Sequence, residues 1–89
     1  MIYHDNKSEE ELIMSKTTIK LDSIDDVKTF VSIVSMQDFD VDLVSGRYSI
    51  DAKSIMGIFS LDLSNSIQLV AHTDDAADFF AKISKYIVK

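Results

Sequence analysis

Residues 38–43 read Asp-Phe-Asp-Val-Asp-Leu, apolar at every second position and acidic in between. Aspartate is a poor strand former. A strand here must therefore be driven by burial of Phe39, Val41 and Leu43 on one face, with Asp38, Asp40 and Asp42 on the other. Ser45-Gly46-Arg47 then supplies a tight turn, with a glycine available for positive φ. Tyr48 and Ile50 return on a second strand. This β-hairpin is the frame to which the rest of the chain must fit.

Alternation before the hairpin puts a strand at 17–21, with Ile19 and Leu21 inward and Thr18 and Lys20 outward. Ser23 follows as a helix N-cap, with Asp26 three residues on as a weak capping box and Asp25 and Asp26 in the first turn, where the dipole favours anions. Ile24, Val27, Phe30, Val31 and Val34 keep helical spacing, so the helix is predicted over about 24–37. After the hairpin, Ser54 caps a short apolar helix over 55–61, whose Ile55, Met56, Ile58, Phe59 and Leu61 surround most of its circumference. One short helix cannot bury all of these against one sheet face. Ser64-Asn65-Ser66 is a loop, and Ile67, Leu69 and Ala71 mark a last strand. Thr73 or Asp74 is expected to cap a final helix with Ala76, Phe79, Phe80, Ile83 and Ile87 on its inner stripe, and Lys82, Lys85 and Lys89 towards its C-terminus.

The order β-α-β-β-α-β-α predicts an α+β open-faced sandwich: a four-stranded antiparallel sheet with three helices on one face. The expected core is Ile19, Leu21, Val27, Val31, Val34, Val41, Leu43, Ile50, Leu69, Phe80 and Ile83, with Ile58 and Leu61 also inward.

Length limits the chain of 89 residues to one domain. With no cysteine, disulfides, thiolate nucleophiles and Cys-based metal sites are excluded, and the chain suits a reducing, cytoplasmic compartment. No apolar run approaches the roughly 20 residues of a membrane span. A net charge of −6 argues against nucleic acid as partner. No metal, cofactor, hydrolase or oxidoreductase pattern is visible, and the expected state is a monomer. Residues 1–15 read as a polar, acidic tail before a domain at 16–89. Met14-Ser15-Lys16 stands where a start would, and Glu9-Glu10-Glu11 is encodable by a ribosome-binding type of run, so 1–13 reads equally as translated leader or native tail.

Lys53-Ser54-Ile55-Met56-Gly57-Ile58-Phe59-Ser60-Leu61 resembles the signature around the regulatory serine of HPr, the histidine-containing phosphocarrier of the bacterial sugar phosphotransferase system. The hairpin and the closing strand and helix are placed as in that family. The resemblance extends over about 17–88 and implies the same open-faced sandwich. It also implies a regulatory phosphorylation site at Ser54. The implied partner surface is formed by Ile55, Met56 and Phe59 with the start of the first helix, Ser23, Asp25 and Asp26. The implied partners are phosphotransferase-system or regulatory proteins, an HPr kinase among them.

The family's second motif departs. Where HPr carries phosphate on a histidine in a Gly-(Ile/Val)-His-Ala-Arg-Pro run, this chain has Asp22-Ser23-Ile24-Asp25-Asp26-Val27-Lys28. Phosphohistidine needs an imidazole nucleophile, and this stretch offers none. The chain's histidines are His4, in the tail, and His72, at a strand end. The resemblance therefore implies a non-catalytic regulator or docking module, a pattern with precedent in the family. The alternatives are a phosphocarrier with an unrecognised acceptor, or a small-molecule-binding regulatory domain of another α+β family.

Overall fold

The computed structural model describes residues 14–88. The possible leader at 1–13 lies outside the described residues. Four strands form one sheet: β1 (Ser15–Ile19), β2 (Val41–Ser45), β3 (Tyr48–Asp51) and β4 (Ile67–Ala71), in the order β1-β4-β2-β3. Every ladder is antiparallel. The helices are α1 (Ile24–Ser35), α2 (Ile55–Phe59) and α3 (Ala77–Lys82), followed by a 3-10 turn at Ser84–Tyr86. The predicted element order and the four-stranded antiparallel open sheet are both present.

Register explains the burial. Leu69 stands between Thr17 and Leu43, and Leu43 in turn faces Ile50. Ile19, Val41, Leu43, Ile67, Leu69 and Ala71 are buried and share one core with Val27, Phe30, Val34, Ile58, Phe79 and Ile83 from the helical segments. The alternate positions Lys16, Thr18, Gln68 and Ser49 are exposed, which leaves the other sheet face to water.

The hairpin turns in two residues, Gly46 and Arg47, between the paired Ser45 and Tyr48. Gly46 has φ +59° and Arg47 does not have positive φ, which is the first-position pattern of a II′ turn matching strand twist. Gly57 is needed for closeness instead. A Cβ there would lie 3.3 Å from Ile50 Cδ1 and 3.2 Å from Ser54 Oγ, so glycine lets α2 sit down on β3.

Several boundaries differ from expectation. β1 occupies Ser15–Ile19, not 17–21, because β4 ends its pairing where Ile67 meets Ile19. The C-terminal segment then takes over the edge: Lys20 N donates to Tyr86 O at 2.8 Å, Val88 N donates to Thr18 O at 2.8 Å, and Ile19 bridges Ile87. Ile87 thus belongs to this bridge and not to a helical stripe. α1 stops at Ser35 and α2 at Phe59, each two residues short of its expected end at 37 and 61. Neither Thr73 nor Asp74 caps α3. Thr73 Oγ1 accepts from Asp75 N in a local turn, and α3 starts after Ala76 with no side-chain cap. Val31, Ile50 and Phe80 are only half-buried against the core, whereas Phe30, Ile67, Phe79 and Tyr86 complete it. Phe30 meets the Tyr86 ring edge-on at 6.2 Å, which places the 3-10 turn against α1.

Candidate functional site

Local hydrogen bonding fixes the start of α1. Ser23 Oγ accepts from Asp26 N at 3.1 Å, and the Asp26 carboxylate accepts from Asp22 N at 3.1 Å. This is the expected reciprocal cap, with the return bond reaching the residue before the cap. The first turn presents Ile24 outward, 62% exposed, although it keeps the helical spacing of the buried Val27, Phe30 and Val34. The Asp25 side chain, in the same turn, has no hydrogen bond or ion pair among the described residues.

The start of α2 is built likewise. Ser54 Oγ accepts from Gly57 N at 3.1 Å, and the Ile58 N–H donates to the Ser54 carbonyl at 3.1 Å. Of the helix's five residues, Ile58 is buried, Ile55 is half-buried against the core, and Met56 and Phe59 are 75% and 41% exposed. With Leu61 buried just beyond the helix, the apolar excess seen in the sequence thus resolves into two inward residues, one lateral residue and two that face water.

A groove of about 470 Å³ opens between these two elements, lined by Lys20, Leu21, Asp22, Ser23, Ile24, Phe59, Leu63 and Ser64. It brings together two of the expected partner-binding residues, Ser23 and Phe59. Asp25 and Asp26 stand in the adjoining helical turn but do not line it, and neither do Ile55 and Met56. Ser54 lies at the opposite end of α2 from Phe59. Leu63 and Ser64 carry no periodic signal, and Lys20 and Leu21 carry only the alternation of β1 continued past its last paired residue, because all four come from connections and not from a helix face. Lys20 Nζ donates to Asp22 Oδ1 at 2.7 Å and to the Leu63 carbonyl at 3.2 Å, tying the loop before α1 to the loop after α2. Across the groove, the Ser64 hydroxyl and then its N–H hold the Asp62 carboxyl below the usual aspartate range, with Lys20 adding to the effect.

His72 is far from this groove in the fold. It follows β4 at the end where Ala71 faces Ser15, whereas the groove lies beyond the Ile19–Ile67 end. Its Nε2 is 2.8 Å from Asp42 Oδ2, an exposed pair. Among the described residues, no three His, Cys, Asp or Glu side chains converge as metal ligands would, and no helix is long and apolar enough to cross a membrane.

An antiparallel open-faced sandwich is an α+β architecture that several unrelated families share, so the fold alone assigns no role. The comparisons narrow this. The family model for the "PTS HPr component phosphorylation site" matches residues 26–89, most of the chain, and the chain belongs to the HPr family of the phosphotransferase system. The crystal structure of HPr-C-His from Thermoanaerobacter tengcongensis is similar, with a TM-score of 0.68 and 26% identity over 80% of this chain and 88% of that one. A search of curated proteins finds no match. The family match contains Ser54, Ile55, Met56 and Phe59 and starts at Asp26, so Ser23 and Asp25 precede it. Membership removes the reading as a domain of another α+β family.

Proposed function

We propose that this chain is a docking and regulatory member of the HPr family and not a phosphocarrier acting through imidazole. It binds phosphotransferase or regulatory proteins through the surface around Ser23, Asp25, Asp26, Ile55, Met56 and Phe59, and it accepts regulatory phosphate at Ser54. One observation carries the reading. The start of α1, where the family presents its histidine, holds a serine whose hydroxyl is engaged as a cap, while the described residues' single histidine sits with Asp42 at the other end of the sheet.

Chemistry supports the division of roles. A capped serine with carboxylates beside it offers no nucleophilic nitrogen, and the cation that lines the groove with it, Lys20, is already paired with Asp22. Exposed Met56 and Phe59, by contrast, have the character of interface anchors.

The test uses purified phosphotransferase-system proteins. Incubation with phosphoenolpyruvate and the first enzyme of the system should leave no acid-labile phosphate on the chain. Phosphohistidine at His4 or His72 would overturn the non-carrier reading. At least one of the system's proteins should bind the wild type and lose affinity for Phe59→Ser; no binding by any of them removes the docking reading. An HPr kinase with ATP should phosphorylate the wild type and not Ser54→Ala. Equal labelling of the two would leave Ser54 as a cap only.

A further inference from the structure

The docking reading leaves the partner's chemistry open, and the groove's charges address it. The apolar part of its wall is Leu21, Ile24, Phe59 and Leu63. The charges around it are unequal. Asp22, Asp25 and Asp26 stand on the α1 side and Asp62 on the α2 side, against Lys20 and Lys28. Lys20 is already committed to Asp22 and to the Leu63 carbonyl, so that pair cancels and Asp25, Asp26 and Asp62 remain against Lys28. Lys28 is exposed one turn further along α1. Asp62, held low by Ser64, stays ionised at neutral pH.

Resting on the docking reading, we infer that this groove takes a cationic, apolar segment of a partner protein. One apolar side chain packs against Leu21, Ile24, Phe59 and Leu63, and lysine or arginine meets Asp25 and Asp26. Rim charges of this kind act mainly on encounter rate and partner choice, and an acidic partner is repelled by the same carboxylates. The whole chain's charge of −6 works in the same direction at long range.

The probes are two amphipathic helical peptides with the same leucine pattern, one with lysine and arginine at its polar positions and the other with glutamate. Amide chemical shifts of the labelled full chain locate binding, and a salt series measures its electrostatic part. The lysine/arginine peptide should shift Ser23, Ile24, Phe59 and Leu63. Phe59→Ser should weaken it about tenfold and Asp25→Lys about fivefold. Asp40→Lys, beyond the opposite end of the sheet, should change affinity less than about twofold. Circular dichroism confirms that each variant is folded. Preference of the groove for the glutamate peptide would overturn the inference and leave the docking reading intact. Shifts spread over the Asp40–His72 end, or no shifts at the groove from either peptide, would also overturn it. The docking reading itself fails only if the phosphotransferase proteins do not bind either.

Discussion

Replacing Ser54 separates its structural role from any regulatory one. In Ser54→Ala the Gly57 N–H loses its 3.1 Å acceptor, while the backbone bond from Ile58 N to residue 54 is unaffected. Loss of an N-cap side chain costs about 0.5–2 kcal/mol. The Gly57 N–H lies in an exposed first turn where water can replace the bond, so the lower half of that range applies, about 0.5–1 kcal/mol. For a domain of this size that lowers Tm by about 2–8 °C. Ser54→Asp keeps an acceptor in place and adds a negative charge at the helix start. Five residues give only a small dipole, so its stability should stay within about 0.5 kcal/mol of wild type. Thermal and urea unfolding followed by circular dichroism at pH 7 measures both variants. An alanine variant as stable as wild type would show that the cap contributes nothing. An aspartate variant less stable than the alanine would show that this helix start rejects negative charge, and with it a stable phosphoserine form.

Phe30→Ala removes a fully buried ring that packs on Tyr86, and should cost about 3–5 kcal/mol, which leaves much of the chain unfolded at room temperature in a urea titration. Ser64→Ala should raise the Asp62 pKa back towards the usual 3.8, read by carboxyl NMR titration. Because the folded value is lowered, this interaction is present above the ordinary value and is lost as pH falls through the lowered one. His72→Gln breaks an exposed pair and should change stability by less than about 1 kcal/mol, with no effect on binding at the groove.

The parts of the fold that were legible are those where one residue's spacing decides its environment. Val41 and Leu43 alternate with aspartates, and both are fully buried. Ser23 and Ser54 stand one residue before their helices and cap them through their own hydroxyls. Two of the misreadings share a cause: periodicity continues past the point where a partner stops pairing. Leu21 keeps the alternation of β1 and is buried, yet the ladder to β4 has ended and the C-terminal segment supplies the next bond. Ile87 continues the spacing of Ile83, but the chain has tightened into a 3-10 turn, so Tyr86 becomes the buried residue. The candidate site was half legible. Phe59 and Ser23 were marked by the signature and the cap, whereas Lys20, Leu63 and Ser64 reach the groove from loops whose course only the tertiary structure defines. Ile24, outside the expected core although it keeps helical spacing, is exposed in the groove wall, because helical spacing alone does not place a residue inside the edge of the core.

The geometry of α2 couples the two proposals. Five residues at about 1.5 Å each make a helix about 7.5 Å long, so Ser54 and Phe59 are separated by roughly a Debye length at physiological salt. A standard interface covers about 800 Å² per partner, a patch wide enough that a protein centred on Phe59 also reaches Ser54. A phosphate there carries about −1.5 to −2 charges at pH 7 and would fall inside the footprint or at its rim. With a cationic partner that charge adds to Asp25 and Asp26, so phosphorylation at Ser54 strengthens binding and steepens its salt dependence. With an acidic partner it does the reverse. The sign of the Ser54-phosphate effect on the lysine/arginine peptide's affinity therefore tests the coupling without knowledge of the natural partner. Weaker binding of the phosphorylated chain at low salt would contradict it.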